Sequence, residues 1–295
     1  MREIPSPFYA YRYLVAPSNN QISILHELNK PKEELMVDIY EGINDNHKTT
    51  WIKGQKKYLF IGFQKSNDLY IIKFAREKIE NIYIEKEEDI EIENIKEVKF
   101  VYLFVDTTNQ IILIEQNKKI FGNISNAIEV IEDFLRDVMM KSHYSVNIYP
   151  LVSTKKFWNY VNTADEIFEL SLLLNAPNMN HGGEDTRSVL QKVKDLTNNE
   201  TLNLSIKNKD GKLKLIRETI GEWIDYVREV GGKYSLKFKK DGVMDTKTSE
   251  TDTSKTQITR KKKSKYTDEE LDNIKAKMNQ IHNLKDRDNA DEEII

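Results

Sequence analysis

The chain has no cysteine. Disulfides, thiolate-ligated zinc, iron–sulfur clusters and thiol nucleophiles are excluded together. The same absence favours a reducing compartment, so a cytoplasmic location is expected. Long apolar runs are also missing. No window approaches the roughly 18 uninterrupted apolar residues of a membrane-crossing helix. The opening segment MREIPSPFYAYRYLVAPSNN carries Pro5 and Pro7 and lacks the apolar centre of a signal peptide. An excess of positive charge is absent as well: 45 Lys and Arg face 48 Asp and Glu, a formal net charge of -3. Polynucleotide binding would therefore need a local patch. The histidines, His26, His47, His143, His181 and His282, lie far apart with no metal-ligand spacing. Neither G-x-x-x-x-G-K-[ST], G-x-S-x-G nor H-E-x-x-H occurs, so the motifs imply no metal and no cofactor.

What is present is enough for a core under a solvated surface, with 39% hydrophobic and 32% charged residues. The first half reads mainly as strands. Phe8–Val15 is aromatic-rich, with Tyr9, Tyr11 and Tyr13 on one face, and Ile22–Leu28 alternates. Pro31–Ile43 has a proline near a helix start and apolar Leu35, Ile39 and Ile43 four apart. YLFIGF and LYIIKFA flank a polar cluster at 64–68, which reads as a hairpin. Ile79–Ile95 reads as a short, wet edge strand. VKFVYLFV (98–105) is apolar enough for a central strand, and Asp106–Asn109 turns it into IILIE. Helical spacing runs from Asn126 to Lys141, with Asn126 and Glu129 resembling a capping box.

Beyond residue 150 the pattern is a short helix at Thr154–Val161, a strand at 167–174, a loop, and a helix at 186–196. Then follow strands at 201–208 and 212–217 around Lys209-Asp210-Gly211, a helix at 218–230, and a strand at 233–239. Strand, helix, strand, strand, helix, strand is the ferredoxin-like βαββαβ order. The expected class is thus α+β: residues 1–150 a strand-rich domain with a long helix, and 151–241 a ferredoxin-like domain. Residues 242–266, rich in Thr, Ser, Lys and acids, read as a disordered linker. Residues 267–295 read as a short amphipathic helix with an acidic end.

That charged tail holds the most distinctive pattern. Lys255, Arg260, Lys261, Lys262, Lys263 and Lys265 sum to +6 with no acid between them. Clustered cations on a flexible arm suit phosphate backbones of RNA or DNA. Thr267 and Glu270 form a capping box ahead of Leu271, Ile274, Met278 and Ile281, an apolar stripe suited to a protein partner, self-association or its own domain. Deleting 246–295 is then expected to weaken binding and leave the core folded.

Other constellations are weaker. Arg136 and His143 fit the R-x(4–6)-H pattern of helical bacterial ribonucleases called HEPN domains. Those domains are all-helical, whereas strands flank this helix, so a helix-end pair near the C-terminal dipole is the favoured reading. Asp106 with Glu115, Gln116 and Lys118 resembles a nuclease metal motif, but a hairpin would separate Asp106 from Gln116 by well over ~10 Å. The loop 175–185 concentrates Asn178, His181, Glu184 and Asp185 around paired glycines before a helix start. Its backbone could cradle an anion, although its two acids argue for ordinary capping.

FYAYRYL, VKFVYLFVD, LNAPN and GGKYS together resemble an uncharacterised bacterial domain family associated with phage-defence and mobile-element loci. The likeness spans about residues 5–240. It implies a defence role and carries no catalytic residues over. The expected function is a binding protein of such a system, acting on RNA or DNA. A ribonuclease-type toxin and a protein-interaction adaptor using the C-terminal helix are the alternatives.

Overall fold

The computed structural model describes residues 5–17, 32–45, 48–86, 89–175, 201–261 and 264–282, with 189–190, 192–193, 196–197 and 199. The fold is α+β, built on two antiparallel sheets. The first sheet contains β1 (Pro5–Pro17), β2 (Thr49–Lys53), β3 (Lys56–Ser66), β4 (Leu69–Lys86), β5 (Asp89–Asp106), β6 (Ile111–Glu115), β7 (Tyr144–Pro150) and β12 (Lys255–Thr259). The second contains β8 (Glu166–Asn175), β9 (Thr201–Lys207), β10 (Gly232–Lys240) and β11 (Val243–Thr248). The described helices are α1 (Lys32–Asp45), α2 (Lys118–Phe121), α3 (Ile124–Met140), α4 (Thr154–Thr163), α5 (Arg217–Glu229) and α6 (Asp268–His282).

Strand alternation divides the first sheet into two buried faces. Tyr11, Tyr13, Tyr70, Ile72, Phe74, Val101 and Leu103 point to one side, where Met36 and Tyr40 of α1 and Ile131, Phe134 and Leu135 of α3 cover them. Phe8, Ala10, Leu69, Ile71, Tyr102 and Phe104 point to the other, under Leu271, Ile274 and Met278 of α6. The central strands are consequently apolar at successive positions rather than at every second one. The tyrosines of β1 are core residues, with Tyr9 packed at the rim. Where α1 ends, its backbone lies on β3, and a Cβ on Gly62 would sit 2.6 Å from the Asn44 Cα. Only glycine allows that approach. The second sheet has its own core, in which Leu170, Leu172 and Leu174 of β8 meet Phe157 and Trp158 of α4 and Ile220 and Ile224 of α5.

One edge of β1 is shared. β12 pairs along Pro5–Tyr9 and β7 along Tyr11–Pro17, while β6 takes the opposite edge along Phe8–Arg12. At the splice, Ala10 N–H donates to the Ser254 carbonyl (2.8 Å), Leu151 N–H to the Ala10 carbonyl (3.0 Å) and Ser254 N–H to the Leu151 carbonyl (2.7 Å).

Four expectations need correction. The ferredoxin-like order fails because 212–217 is not a strand. Gly211, at φ +72°, turns the chain across the start of β8, where Ile167 N–H donates to the Gly211 carbonyl and Leu213 N–H to the Ile167 carbonyl. Only one bridge, Ile167 to Lys212, remains of the expected strand. In a split βαβ the two strands joined by the first helix run parallel with a third strand between them, whereas β8 and β9 are direct antiparallel neighbours in the order β11-β10-β8-β9.

Residues 242–266 are not a disordered linker either: they supply β11 to the second sheet and β12 to the first. Their connection is buried through hydrogen bonds instead of apolar contact. Asp252 accepts from the hydroxyls of Tyr234 (2.6 Å) and Tyr160 (3.0 Å), and Ser249 Oγ accepts from Tyr234 N–H (2.8 Å). Ile79–Ile95 is no short edge strand but the outer part of the long β4–β5 hairpin. Finally, α3 is capped by Asn123, whose side chain accepts from Asn126 N–H (2.7 Å), so the helix begins before the expected cap. The strand expected at 22–28 and the acidic end at 291–293 lie outside the described residues.

Candidate nucleic-acid interface

The cations of the expected basic patch meet different fates. Lys255 on β12 and Lys265 before α6 are exposed, and Lys262 and Lys263 lie outside the described residues. Lys261 is buried, with its ammonium on Glu270 Oε1 at 2.6 Å. The expected capping box forms around that pair: Thr267 N–H donates to Glu270 Oε2 (2.9 Å) and Glu270 N–H to Thr267 Oγ1 (3.3 Å). Hydrogen bonding to Lys261 holds the Glu270 carboxyl below its ordinary range.

Arg260 is drawn onto the sheet. Its guanidinium lies 4.7 Å from the Phe100 ring centroid and 5.8 Å from that of Tyr102, and Nη2 donates to the Phe100 carbonyl (3.1 Å). Its Nε lies 3.7 Å from Oε2 of Glu115, a buried carboxylate that accepts from Tyr102 N–H (3.1 Å). Burial raises the Glu115 carboxyl above its ordinary range, against the pull of Arg260. Together Glu115 and Arg260 terminate the β5 edge where β6 ends, since β6 pairs only with Leu103–Asp106.

A second cation joins the cluster from β4. Lys73 sits opposite Ile61 and Tyr102. Its ammonium lies 4.1 Å from the Phe63 ring centroid, 5.2 Å from Phe100 and 5.9 Å from Tyr102. Among the described residues no carboxylate pairs with it. Burial, with Arg260 beside it, lowers its proton affinity. Two cations thus share one patch of half-buried ring surface. Ring faces attract cations but do not neutralise them, so with Arg260 offset by Glu115 the unpaired Lys73 charge leaves the patch net positive and suited to an oxyanion. Motif reading missed Lys73, Phe63 and Phe100. The signal was available: in LYIIKFA a lysine occupies an inward position of an otherwise apolar strand.

The remaining candidates have structural positions. Leu271, Ile274 and Met278 are buried on their own sheet, with Ile281 packed beside them, so this stripe is already covered. Arg136 is engaged by Glu132 and donates to the Val146 carbonyl (2.9 Å) and Asn147 Oδ1 (2.7 Å), tying α3 to β7. His143 stands in the following turn at φ +59°. Asp106 caps its turn, accepting from Asn109 N–H (2.9 Å) and Nδ2 (2.8 Å). Asn178, His181, Glu184 and Asp185 lie outside the described residues. Just before them, Asn175 accepts from the hydroxyls of Tyr149 and Tyr226. Among the described residues no group of three or more His, Asp or Glu is placed to hold a metal ion. No described helix is long and apolar enough to cross a membrane. No protein-family model matches the chain, and no curated protein matches it.

Proposed function

We propose that the chain acts by binding RNA or DNA, with phosphate groups received by Lys73 and Arg260 on the aromatic patch of the first sheet. The observation that carries this reading is the Lys73 ammonium, held over three rings beside a second cation with no carboxylate of its own among the described residues. Exposed Lys255 and Lys265 supply further phosphate contacts along the same returning segment. Part of the basic run is thus a fixed element, and the proposed binding surface is a sheet face with the segment that crosses it. A place in phage defence or mobile-element biology rests on the resemblance of FYAYRYL, VKFVYLFVD, LNAPN and GGKYS. Cleavage has no observation in its favour, because Arg136 is spent on β7.

Fluorescence anisotropy with labelled single-stranded and duplex RNA and DNA, titrated across salt, tests the reading. Lys73→Met keeps the packing and removes the charge. It should weaken binding about threefold to tenfold and reduce the salt slope by about one phosphate contact. Unchanged affinity and slope in that variant, or no binding near ~50 mM salt, would reject it. Nucleotide release from the labelled RNA would instead favour the ribonuclease alternative.

A further inference from the structure

The β4–β5 hairpin runs well past its neighbours. β3 pairs with β4 only as far as Glu77, and β6 reaches β5 only from Leu103 inward. The outer part, within 78–97, is a two-stranded ribbon whose outer edges have no strand partner among the described residues. Such ribbons are marginal alone in water.

Its residues are arranged by face. Residues two apart share a side, so Val98, Lys96, Asn94 and Ile92 continue the face of Phe100 and Tyr102, with aliphatic side chains at its two ends. Their β4 neighbourhood adds Ile79 and Tyr83, the latter directly opposite Ile92. Val98, Ile92, Ile79 and Tyr83 are 46%, 56%, 65% and 72% exposed. The opposite face of β5 carries Glu93, Ile95 and Glu97, the last paired with Lys99 Nζ (2.5 Å). Over 78–97 eight acids face three lysines, a net of -5.

The β5 edge is also chemically open. Glu115 occupies Tyr102 N–H, and Arg260 occupies the Phe100 carbonyl. By strand alternation the next groups on that edge belong to Val98, Lys96, Asn94 and Ile92. Among the described residues none of these has a hydrogen-bond partner.

We propose that the β5 edge from Ile92 to Val98 is a docking edge for an extended segment of another protein in which basic and aliphatic residues alternate. The segment adds as a strand. Its aliphatic side chains extend the Val98–Ile92 face, and its cations meet Glu93 and the net-negative arm around it on the other. A second copy of this edge fits poorly, since it would bring together two arms of net -5. The assignment is independent of Lys73, which lies inward of the ribbon.

The test uses the full chain and three labelled nine-residue peptides, alternating Lys–Val, Lys–Ser and Glu–Val, followed by anisotropy near physiological salt. Lys–Val should bind at least tenfold tighter than either comparator. Lys96→Pro removes one edge N–H without touching the β4 ladder, and should weaken Lys–Val binding at least tenfold. It also removes a positive charge from the acidic arm, so attraction by charge alone would strengthen binding instead. A second variant replaces residues 79–96 by Asn-Gly, joining Lys78 to Glu97, a pair hydrogen-bonded across the ladder as a two-residue turn requires, and should abolish binding while polynucleotide affinity stays unchanged. Equal binding of Lys–Val and Lys–Ser, or undiminished binding in both variants, overturns the proposal. So does sedimentation equilibrium showing a dimer that the shortened arm loses, which would make the occupant a second copy.

Discussion

The returning segment 249–282 and the ribbon 78–97 invert what their compositions suggest. The connection in the first, SETDTS, holds almost nothing apolar, yet Ser249, Asp252, Thr253 and Ser254 are buried. In the second, isoleucine recurs every few residues, and Ile79, Tyr83, Ile92 and Ile95 stand exposed. Burial follows available partners more than hydropathy. The returning segment finds a free edge on β1, two tyrosine hydroxyls and an uncovered sheet face. Among the described residues the outer ribbon strands pair only with each other.

Five perturbations sharpen this contrast, the two most disruptive first. Met278→Asp places a carboxylate at a fully buried position between α6 and the sheet. It should cost more than about 3 kcal/mol and lower the midpoint of thermal denaturation by many degrees. Deleting 249–295 should go further and leave insoluble protein, because Phe8, Tyr102 and Phe104 lose their cover. A soluble, cooperatively folding truncation would restore the view of this region as an appendage.

Asp252→Ala leaves the Tyr234 and Tyr160 hydroxyls without their carboxylate and should cost about 2–3 kcal/mol in urea denaturation. Glu115→Ala should cost about 1–3 kcal/mol by uncovering Tyr102 N–H and Arg260, whereas Glu115→Gln should cost less than about 1 kcal/mol. The pH dependence separates both variants from the parent protein. Burial raises the folded-state Glu115 pKa, so the folded form holds a proton that the unfolded form has released. Stability therefore falls as pH rises from the ordinary glutamate range through the raised value, and both variants should lack that component. The smallest effect belongs to the ribbon: Ile79→Lys or Tyr83→Lys should shift stability by no more than about 0.5 kcal/mol. A loss of several kcal/mol there would mean that the ribbon is covered after all.

Sequence periodicity located most of the framework. It found β1, α1, the β3–β4 hairpin, the central β5, β6 and the capping box of α6, because each carries its signal within a few residues. It failed where partners are distant. The alternation at 79–95 says strand but not that two strands pair only with each other. Lys209-Asp210-Gly211 says turn, but Glu166 and Phe168 decide where the turned chain goes. The polar run at 249–254 gave no hint of Tyr234 and Tyr160, whose hydroxyls order it. The candidate site was legible only in part. Arg260 was singled out within a basic run, for a flexible arm it does not form. Lys73 was passed over because its significance depends on Phe63 and Phe100 standing beside it.

The shared edge of β1 also has a consequence in time. Pro5 pairs with Thr259 and Tyr9 with Lys255, contacts that close nearly the whole chain into one loop. Folds dominated by such distant pairings form slowly. At a synthesis rate of ~5–20 residues per second, the edge of β1 that β12 finally covers stays open for tens of seconds while the rest emerges. A young chain of this protein is therefore a molecule with a bare strand edge and an uncovered aromatic face, most exposed to misassembly just before α6 arrives.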